Sequence, residues 1–199
     1  MNHRLATTDD DKPAKPERSN SLAEQLAFKS RFVLLFGEID DKAARATCER
    51  LIALAQESDA PIHLLVSSPG GHVESGDSIH DMVRFVRAPV TTIGSGWVAS
   101  AGTHVFLAAP KERRVCLPNT RFMIHQPSGG GGGPASDIAI QAQEIVKMRE
   151  RIARTIAHET GQKLERVLTD IDRDHWMTAQ EAIAYGLVAR VIERQAELG

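Results

Sequence analysis

Residues 61–71 read PIHLLVSSPGG, and they decide the fold because they join a strand pattern to a pair of glycines. The part PIHLLVS is a short apolar run bounded by proline and by turn residues, which is typical of a buried strand. The part SPGG predicts a loop. An apolar stripe after it predicts a helix and consists of Ile79, Met82, Val83 and Phe85. The stretch therefore indicates a strand, a loop and a helix in succession.

The same unit precedes and follows this stretch. RFVLLFGEI (31–39) reads as a buried strand, and Asp40 or Asp41 is placed to cap the helix after it. The apolar stripe of that helix consists of Ala44, Cys48, Leu51, Ile52 and Leu54. A third strand, APVTTIG (88–94), leads through a glycine-containing loop to a short apolar helix over residues 100–108. Strands that alternate with helices predict parallel pairing with right-handed crossovers, hence one α/β domain.

The second half of the chain does not repeat this alternation of strand and helix patterns. RRVCL and RFMIH predict two strands joined by Pro118-Asn119, and SGGGGGP (128–134) is too rich in glycine for either regular element. A long helix is predicted from Ala135 to His158, with apolar residues on more than one face. It packs either on another subunit or wholly within its own core. The closing elements are predicted as helices at 163–173 and 178–185, a stop at Gly186 and the strand LVARVI.

Length and composition limit the classes of function. The chain has 199 residues, of which 42% are hydrophobic and 25% charged, as expected for one globular domain. Its formal net charge of −2 argues against nucleic acid as the main partner. Cys48 and Cys116 lack a metal-binding spacing and are expected to be reduced thiols. No segment provides the run of about 20 apolar residues that a spanning helix needs, so we expect a cytoplasmic protein without a membrane partner.

Ser100, in GSGWVASAGTH (94–104), is a candidate nucleophile. It follows an apolar strand at the predicted start of a helix, where the first N–H groups lack partners within the helix and can bind developing negative charge. Its small neighbours allow a substrate backbone to approach. Ser95, between two glycines, is a rival, and a cap role for Ser100 stays open. The pattern is not the G-x-S-x-G elbow of the α/β-hydrolases.

A serine nucleophile also needs a base and a carboxylate that orients it. His125 lies at a strand end in RFMIHQP, which suits a general base at a cleft, whereas His104 and His72 are alternatives. The residues alone leave the acid open. Its candidates in LTDIDRDHWMTAQEA are Asp170, Asp172 and Asp174. If this segment is helical, Asp170 and Asp174 share a face.

The glycines of SSPGG (67–71) complete the set of candidates. Adjacent glycines permit unusual backbone dihedrals and close approach of another chain. An extended peptide could add there as a strand, with one N–H contributing to an oxyanion hole. An ordinary tight turn explains the same residues.

Together these segments resemble the proteolytic subunits of the Clp protease family, ClpP. The matching stretches are SSPGG, GWVASAG, LPNTRFMIHQP, the glycine loop with its following helix, and DRDHWMTAQEAIAYGLV. The resemblance runs from about Arg31 to the C-terminus, and the order and spacing of the motifs agree with the family. It implies a crotonase-like (ClpP-type) fold. Residues 22–199 would form a single domain with a handle region at about 126–158. From the residues themselves, the polar stretch 1–21 predicts a mobile segment, and LAEQLAF predicts a short helix from Leu22 at the start of the domain.

The resemblance also implies roles for individual residues. By position, Ser100 corresponds to the nucleophile, His125 to the base and Asp174 to the orienting acid. The oxyanion hole corresponds to the N–H groups of Gly71 and Ala101. Further matched positions are Ser68, Pro69 and Gly70 for substrate binding, and Arg173 for a charge that pairs between rings and links assembly to the active site. No metal or cofactor is implied.

The family assembles heptameric rings that stack face to face and receive unfolded polypeptides from a Clp ATPase, which implies the same partners here. The positions that match the aromatic ATPase-docking pocket carry His63 and Leu65, with Phe85 retained. The N-terminal segment is polar and the handle loop is unusually rich in glycine. We therefore expect a divergent paralogue, in a homo-oligomeric ring or a mixed ring with a second ClpP-like subunit.

The sequence leaves three alternatives to an active peptidase. A weakly active or regulatory subunit of a mixed ring would not require the serine, histidine and aspartate together. An acyl-CoA hydratase-like enzyme would explain the glycine loop but leave Ser100 and His125 unused. A membrane-bound signal-peptide peptidase relative is disfavoured because no anchor is found.

Overall fold

The computed structural model describes residues 22–198. The strands in this range are β1 (Phe32–Ile39), β2 (Ile62–Gly71), β3 (Val90–Ala99), β4 (Arg114–Cys116), β5 (Arg121–Ile124), β6 (His175–Thr178) and β7 (Arg190–Val191). The α-helices are α1 (Leu22–Lys29), α2 (Asp41–Glu57), α3 (Val73–Phe85), α4 (Ala101–Phe106), α5 (Ala135–Thr160), α6 (Leu164–Asp170) and α7 (Ala179–Tyr185). Short 3-10 helices lie at Lys111–Arg113 and Gln195–Leu198. The predicted mobility of residues 1–21 falls outside the described residues.

The main sheet has the order β1-β2-β3-β4-β7, and every neighbouring pair in it is parallel. Helices α2, α3 and α4 connect the successive strands β1 to β4. Asp40 caps α2 by accepting a hydrogen bond from the N–H of Ala43 at 2.7 Å. The prediction of an α/β fold from alternating strands and helices is confirmed.

Strand β3 belongs to two pairings at once. Its first half pairs with β4, whereas its second half, Trp97 to Ala99, pairs with β5. β5 then pairs antiparallel with β6. The two strands joined by Pro118-Asn119 therefore do not pair with each other, and the connection moves the chain from one half of β3 to the other.

Two predicted loops are wrong, because the strands continue through them. β2 extends to Gly71, and its glycines pair with the end of β1 at Glu38 and Ile39. β3 likewise passes through Gly94 and Gly96 and ends at Ala99. A β-carbon on Gly71 would collide with the carbonyl oxygen of Ile39, so only glycine allows the strands to approach this closely.

Most buried apolar side chains form one cluster between the sheet and the helices. Ile52 and Phe85, predicted to lie on the apolar stripes of α2 and α3, are exposed instead. Helical spacing gives a face only to within one position, and both residues lie at the edge of their stripes. Cys48 is half-buried and Cys116 buried, and both are free thiols.

Helix α5 begins at the predicted Ala135 and is buried only near its C-terminal end, at Ile152, Ala153 and Ile156. Its first half is exposed, including Ile138 and Ile140, so the alternative of a helix buried within its own chain is wrong for that half. None of the helices in residues 22–198 is both long and apolar enough to cross a bilayer.

The chain after α5 also differs from its prediction. Helix α6 ends at Asp170, so Asp174 is not helical and does not share a helix face with it. The chain leaves the helix there because residues 175–178 pair with β5 as strand β6. Helix α7 ends at Gly186, which adopts the left-handed conformation, as the sequence predicts.

Candidate active site

Ser100 directly follows β3, and the pairing of β3 with β5 determines what it faces. Ala99 is the partner of Met123 in this parallel pair, and the Ser100 N–H donates to the Met123 carbonyl at 3.0 Å. Because β3 and β5 are parallel, the chain leaves both strands at the same edge of the sheet and in the same direction. Ser100 therefore emerges beside the residues that follow β5, the first of which is His125.

Asp174 reaches the same place through the antiparallel pairing of β5 with β6. Ile124 is the partner of His175, so the next residue outward on each strand brings His125 beside Asp174. His125 Nε2 lies 2.7 Å from Ser100 Oγ, and His125 Nδ1 lies 3.0 Å from Asp174 Oδ1. A carboxylate at Nδ1 favours the tautomer whose Nε2 lone pair accepts the serine proton.

The backbone at Ser100 is unusual for a residue with a side chain. Its dihedrals are φ 55° and ψ −123°, at the sharp turn between β3 and α4. Such conformations persist only where the surroundings hold them. Here the Thr103 hydroxyl lies 2.8 Å from the carbonyl oxygens of both Val98 and Met123, which ties α4 to both strands.

The glycines of β2 lie against this turn. A β-carbon on Gly70 would be 2.6 Å from Ser100 Cβ and 3.0 Å from the Ala101 nitrogen, so the two backbones are in direct contact. Gly71 is exposed and Pro69 half-buried at the strand end. Ser68 is fully buried and accepts a hydrogen bond from the Gly70 N–H at 3.0 Å, so it supports this edge from beneath rather than facing solvent.

Other candidates from the sequence have different partners. His72 lies 3.0 Å from Ser75 Oγ, and His104 lies 2.9 Å from Asp77. Asp170 accepts a hydrogen bond from the Tyr185 hydroxyl at 2.9 Å. The imidazole that contacts Ser100 is thus that of His125.

The turn between α6 and β6, residues 171–174, carries Asp172 and Arg173 beside Asp174. Gln126 Nε2 donates to the Asp172 carbonyl oxygen at 2.9 Å, and Gln126 Oε1 accepts from Arg149 of α5 at 2.9 Å. Arg173 is exposed beside His125 and Asp174 at the mouth of an open cavity. The side chain of Asp174 is 62% exposed, so the acid end of this contact chain faces solvent.

Sequence reasoning missed a cluster of ionisable side chains beside the site. His104 contacts Asp77, which pairs with Arg151 of α5 through two contacts of 2.9 and 2.7 Å. Asp77 and Arg151 are 74 positions apart, so no local pattern could have predicted the pair. The residues 22–198 contain no group of three histidine, cysteine or acidic side chains arranged to hold a metal ion.

A small, partly open pocket lies beside Ser100. It is lined by Val73, Ser100, Ala101, Thr103, His104, Ile124, His125, Pro127, Ile152 and Ile156. Most of these are apolar, so the pocket suits a side chain adjacent to the bond that reacts with Ser100. The site thus combines a serine hydrogen-bonded to an imidazole, a carboxylate hydrogen-bonded to the same imidazole, and an adjacent pocket. Together these define a serine hydrolase on an α/β fold.

Comparison with known proteins identifies the family. The family model for Clp protease matches residues 14–195. The chain is 57% identical to ATP-dependent Clp protease proteolytic subunit 3 of Rhizobium etli, over 86% of this chain and 88% of the relative. It is also 57% identical to proteolytic subunit 2 of Gluconobacter oxydans, over 95% and 91%. The chain belongs to the Clp protease family, and it is a serine peptidase subunit.

A solved structure supports the same assignment. A ClpP1 point mutant from Listeria monocytogenes superimposes with a TM-score of 0.84 at 46% identity, covering 89% of this chain and 100% of that one. The predicted ClpP-type fold is therefore confirmed. The relatives numbered subunit 2 and subunit 3 agree with the prediction of a paralogue. Proteolytic subunits of this family form rings and work with Clp ATPases.

Proposed function

We propose that this chain hydrolyses peptide bonds with Ser100 as nucleophile, His125 as general base and Asp174 as the carboxylate that orients His125. The observation that carries the proposal is the unbroken contact chain, with 2.7 Å from Ser100 to His125 and 3.0 Å from His125 to Asp174. These lengths lie within the range in which a base takes a proton from a nucleophile.

Each step of the proposed reaction uses a group at this site. His125 Nε2 takes the Ser100 proton while Oγ attacks the peptide carbonyl, and the resulting oxyanion accepts from the N–H groups of Gly71 and Ala101. His125 then gives the proton to the departing amine, which leaves an acyl-enzyme on Ser100. Water, deprotonated by His125, attacks the acyl group, and the collapse of this second intermediate releases Ser100.

The substrate is proposed to be an unfolded polypeptide that binds in extended form along Pro69 and Gly70. The exposed end of β2 offers backbone groups to an added strand, and Ser68 supports that end through its contact with the Gly70 N–H. Recognition through the backbone tolerates many sequences. It therefore suits a protease that digests unfolded chains.

We also propose that the chain works in a ring whose subunits meet through the handle region, residues 126–158, of a single domain at 22–199. The exposed apolar side chains Ile138, Ile140 and Val146 on α5 support this, because an isolated helix gains nothing from exposing them. Arg173, beside the acid end of the contact chain, is proposed to pair between rings. The ring is either homomeric or mixed with a second ClpP-like subunit.

A cytoplasmic Clp ATPase is the proposed supplier of unfolded substrate, as the ATP-dependent names of the relatives suggest. Its docking surface is proposed at His63, Leu65 and Phe85. Phe85 is exposed, and Leu34 and Phe36 on the neighbouring strand add apolar area that sequence matching missed. The ring of His63 packs on Phe32 with centroids 4.9 Å apart, so His63 has less free surface than an exposed aromatic anchor.

Labelling with a fluorophosphonate tests the proposed nucleophile. An adduct mapped to Ser100 by mass spectrometry, and absent in Ser100→Ala, is expected if His125 activates this serine. An adduct that forms only after a second subunit is added would assign activity to a mixed ring. The absence of an adduct under both conditions would contradict the proposal and favour the regulatory-subunit alternative.

A further inference from the structure

The carboxylate of Asp174 depends on its backbone for its position. The side chain contacts His125 Nδ1 and is otherwise largely open to solvent, with 62% of it exposed. The backbone that carries it is the turn at residues 171–174, between α6 and β6. Pairing of His175 with Ile124 fixes the end of this turn that enters β6. The part of the turn that comes before Asp174 needs a support of its own.

Gln126, which directly follows His125, provides that support at two carbonyl groups. Its N–H donates to the Ile171 carbonyl oxygen at 2.6 Å, and its side-chain Nε2 donates to the Asp172 carbonyl oxygen at 2.9 Å. The turn that leads to Asp174 is thus hydrogen-bonded to the neighbour of the imidazole that Asp174 must reach.

Arg149, on α5, fixes the orientation of the Gln126 amide. Its Nε donates to Gln126 Oε1 at 2.9 Å, and its Nη2 donates to the Leu168 carbonyl oxygen at 3.2 Å. A guanidinium only donates and a backbone carbonyl only accepts, so the amide oxygen must face Arg149 and the amide nitrogen must face Asp172. Within residues 22–198, Arg149 forms no ion pair with a carboxylate, so these neutral oxygens are the acceptors that its side chain serves.

We propose that Arg149 is a positioning residue for the reaction, and that it acts through Gln126 to hold Asp174 against His125. Without Arg149 the amide of Gln126 is free to rotate away from the Asp172 carbonyl. The turn then loosens, and Asp174 spends less time within reach of His125 Nδ1. The inference rests on the proposed function, because it takes Asp174 as the carboxylate that orients the base.

Arg149→Met in the full-length chain tests the inference, because methionine keeps much of the side-chain length but donates no hydrogen bond. The kcat for hydrolysis of a short peptide should fall about tenfold with KM nearly unchanged, since the loss comes from misplaced reacting groups rather than from substrate binding. Arg149→Lys keeps a donor but not the planar fork, so it should lose less. Arg154→Met is the matched control, because Arg154 pairs with Glu150 on the exposed side of the same helix. Its kcat should stay within about twofold of the wild type.

Combination with Asp174→Asn separates positioning from a merely structural role. If Arg149 acts through Asp174, Arg149→Met should cause little further loss of kcat in a chain that already carries Asp174→Asn. A tenfold loss in both backgrounds would overturn the inference, because the effect would then bypass Asp174. A rise in KM with kcat unchanged would overturn it as well.

Thermal unfolding and fluorophosphonate labelling of Ser100 accompany each variant, so that a misfolded protein is recognised. If Arg149→Met unfolds, Gln126→Leu carries the same comparison, because it removes the amide through which Arg149 acts. A chain in which Asp174→Asn slows the reaction but Arg149→Met does not would overturn this inference alone. If Asp174→Asn itself leaves kcat unchanged, the proposed role of Asp174 fails, and this inference fails with it.

Discussion

The guanidinium of Arg114 is buried against the carboxylate of Glu159, with Nη2 and Oε2 2.8 Å apart and side chains only 1% and 7% exposed. Glu159 also accepts from Arg84 of α3 at 2.8 Å, and Arg114 donates to the Glu159 carbonyl oxygen at 3.0 Å. The pair thus joins the C-terminal end of α5 to β4 and to α3. This buried contact network therefore helps to anchor the C-terminal end of α5 to the sheet.

Removing the charge of Glu159 should destabilise the fold strongly. Glu159→Gln leaves the buried guanidinium of Arg114 without a counter-charge, and such losses cost about 3–5 kcal/mol. Urea denaturation measures the change in the free energy of unfolding. Glu150→Gln is the matched control, because Glu150 pairs with Arg154 on the exposed side of the same helix. It should cost no more than about 0.5 kcal/mol, and equal losses for the two variants would contradict the buried role.

Alanine at Gly70 should abolish peptidase activity by displacing Ser100. The new β-carbon would stand 2.6 Å from Ser100 Cβ and 2.9 Å from the Ala99 carbonyl oxygen, and φ of +99° disfavours any side chain. Hydrolysis of a short peptide should fall at least about a hundredfold, because a small misplacement of reacting groups has effects of this size. Fluorophosphonate labelling of Ser100 should fall with it.

Gly37→Ala provides the control for backbone strain. Gly37 also has a positive φ, of +81°, but a β-carbon there would meet nothing within 4 Å. This variant should lose stability while the folded fraction keeps its activity. If both variants lost activity equally, backbone strain rather than contact with Ser100 would explain the loss.

Asp174→Asn should slow the reaction by about a hundredfold or more at neutral pH. An amide that donates to His125 Nδ1 favours the wrong tautomer and leaves no lone pair at Nε2 for the Ser100 proton. The measured quantity is kcat for peptide hydrolysis at saturating substrate. Asp172→Asn, in the same turn, should stay within about threefold. A loss of similar size for Asp172→Asn would point to disruption of the turn rather than to the tautomer of His125.

Asp77 should make the stability of the protein sensitive to acid. Burial raises the pKa of Asp77, but hydrogen bonds from His104 and Arg151 outweigh it and hold this pKa well below its ordinary value. When a carboxyl group has a lower pKa in the folded than in the unfolded state, it stabilises the fold at pH values above its unfolded pKa, which is about 3.9 for an aspartate. This stability is lost as the pH falls from there toward the folded pKa.

The test compares the free energy of unfolding of the wild type with that of Asp77→Asn at several pH values. The wild type should be more stable at pH 7, and the difference should shrink as the solution is acidified below about pH 4. Asp81→Asn, an exposed position on the same helix, should keep the slope of the wild type. A constant difference between wild type and Asp77→Asn across this range would contradict the assignment.

The sequence predicted some residues of the candidate site better than others. Ser100 and His125 stood out because each follows a recognisable strand, and the family resemblance selected Asp174 from three aspartates. Helical periodicity misplaced that aspartate, because pairing with β5 draws residues 175–178 into a strand. The cluster of His104 and Asp77 had no counterpart in any local pattern.

By itself, the sequence determined the alternation of strands and helices, the start of α5 and the places where glycine is required. These features depend on apolar periodicity and on backbone freedom, which act over a few neighbouring residues. Only the tertiary structure decided that β3 pairs with both β4 and β5, that β5 pairs with β6, and that Asp77 meets His104 and Arg151. Such contacts join residues far apart in the chain. They form because many buried groups must be packed and hydrogen-bonded at once, which no local stretch of sequence specifies.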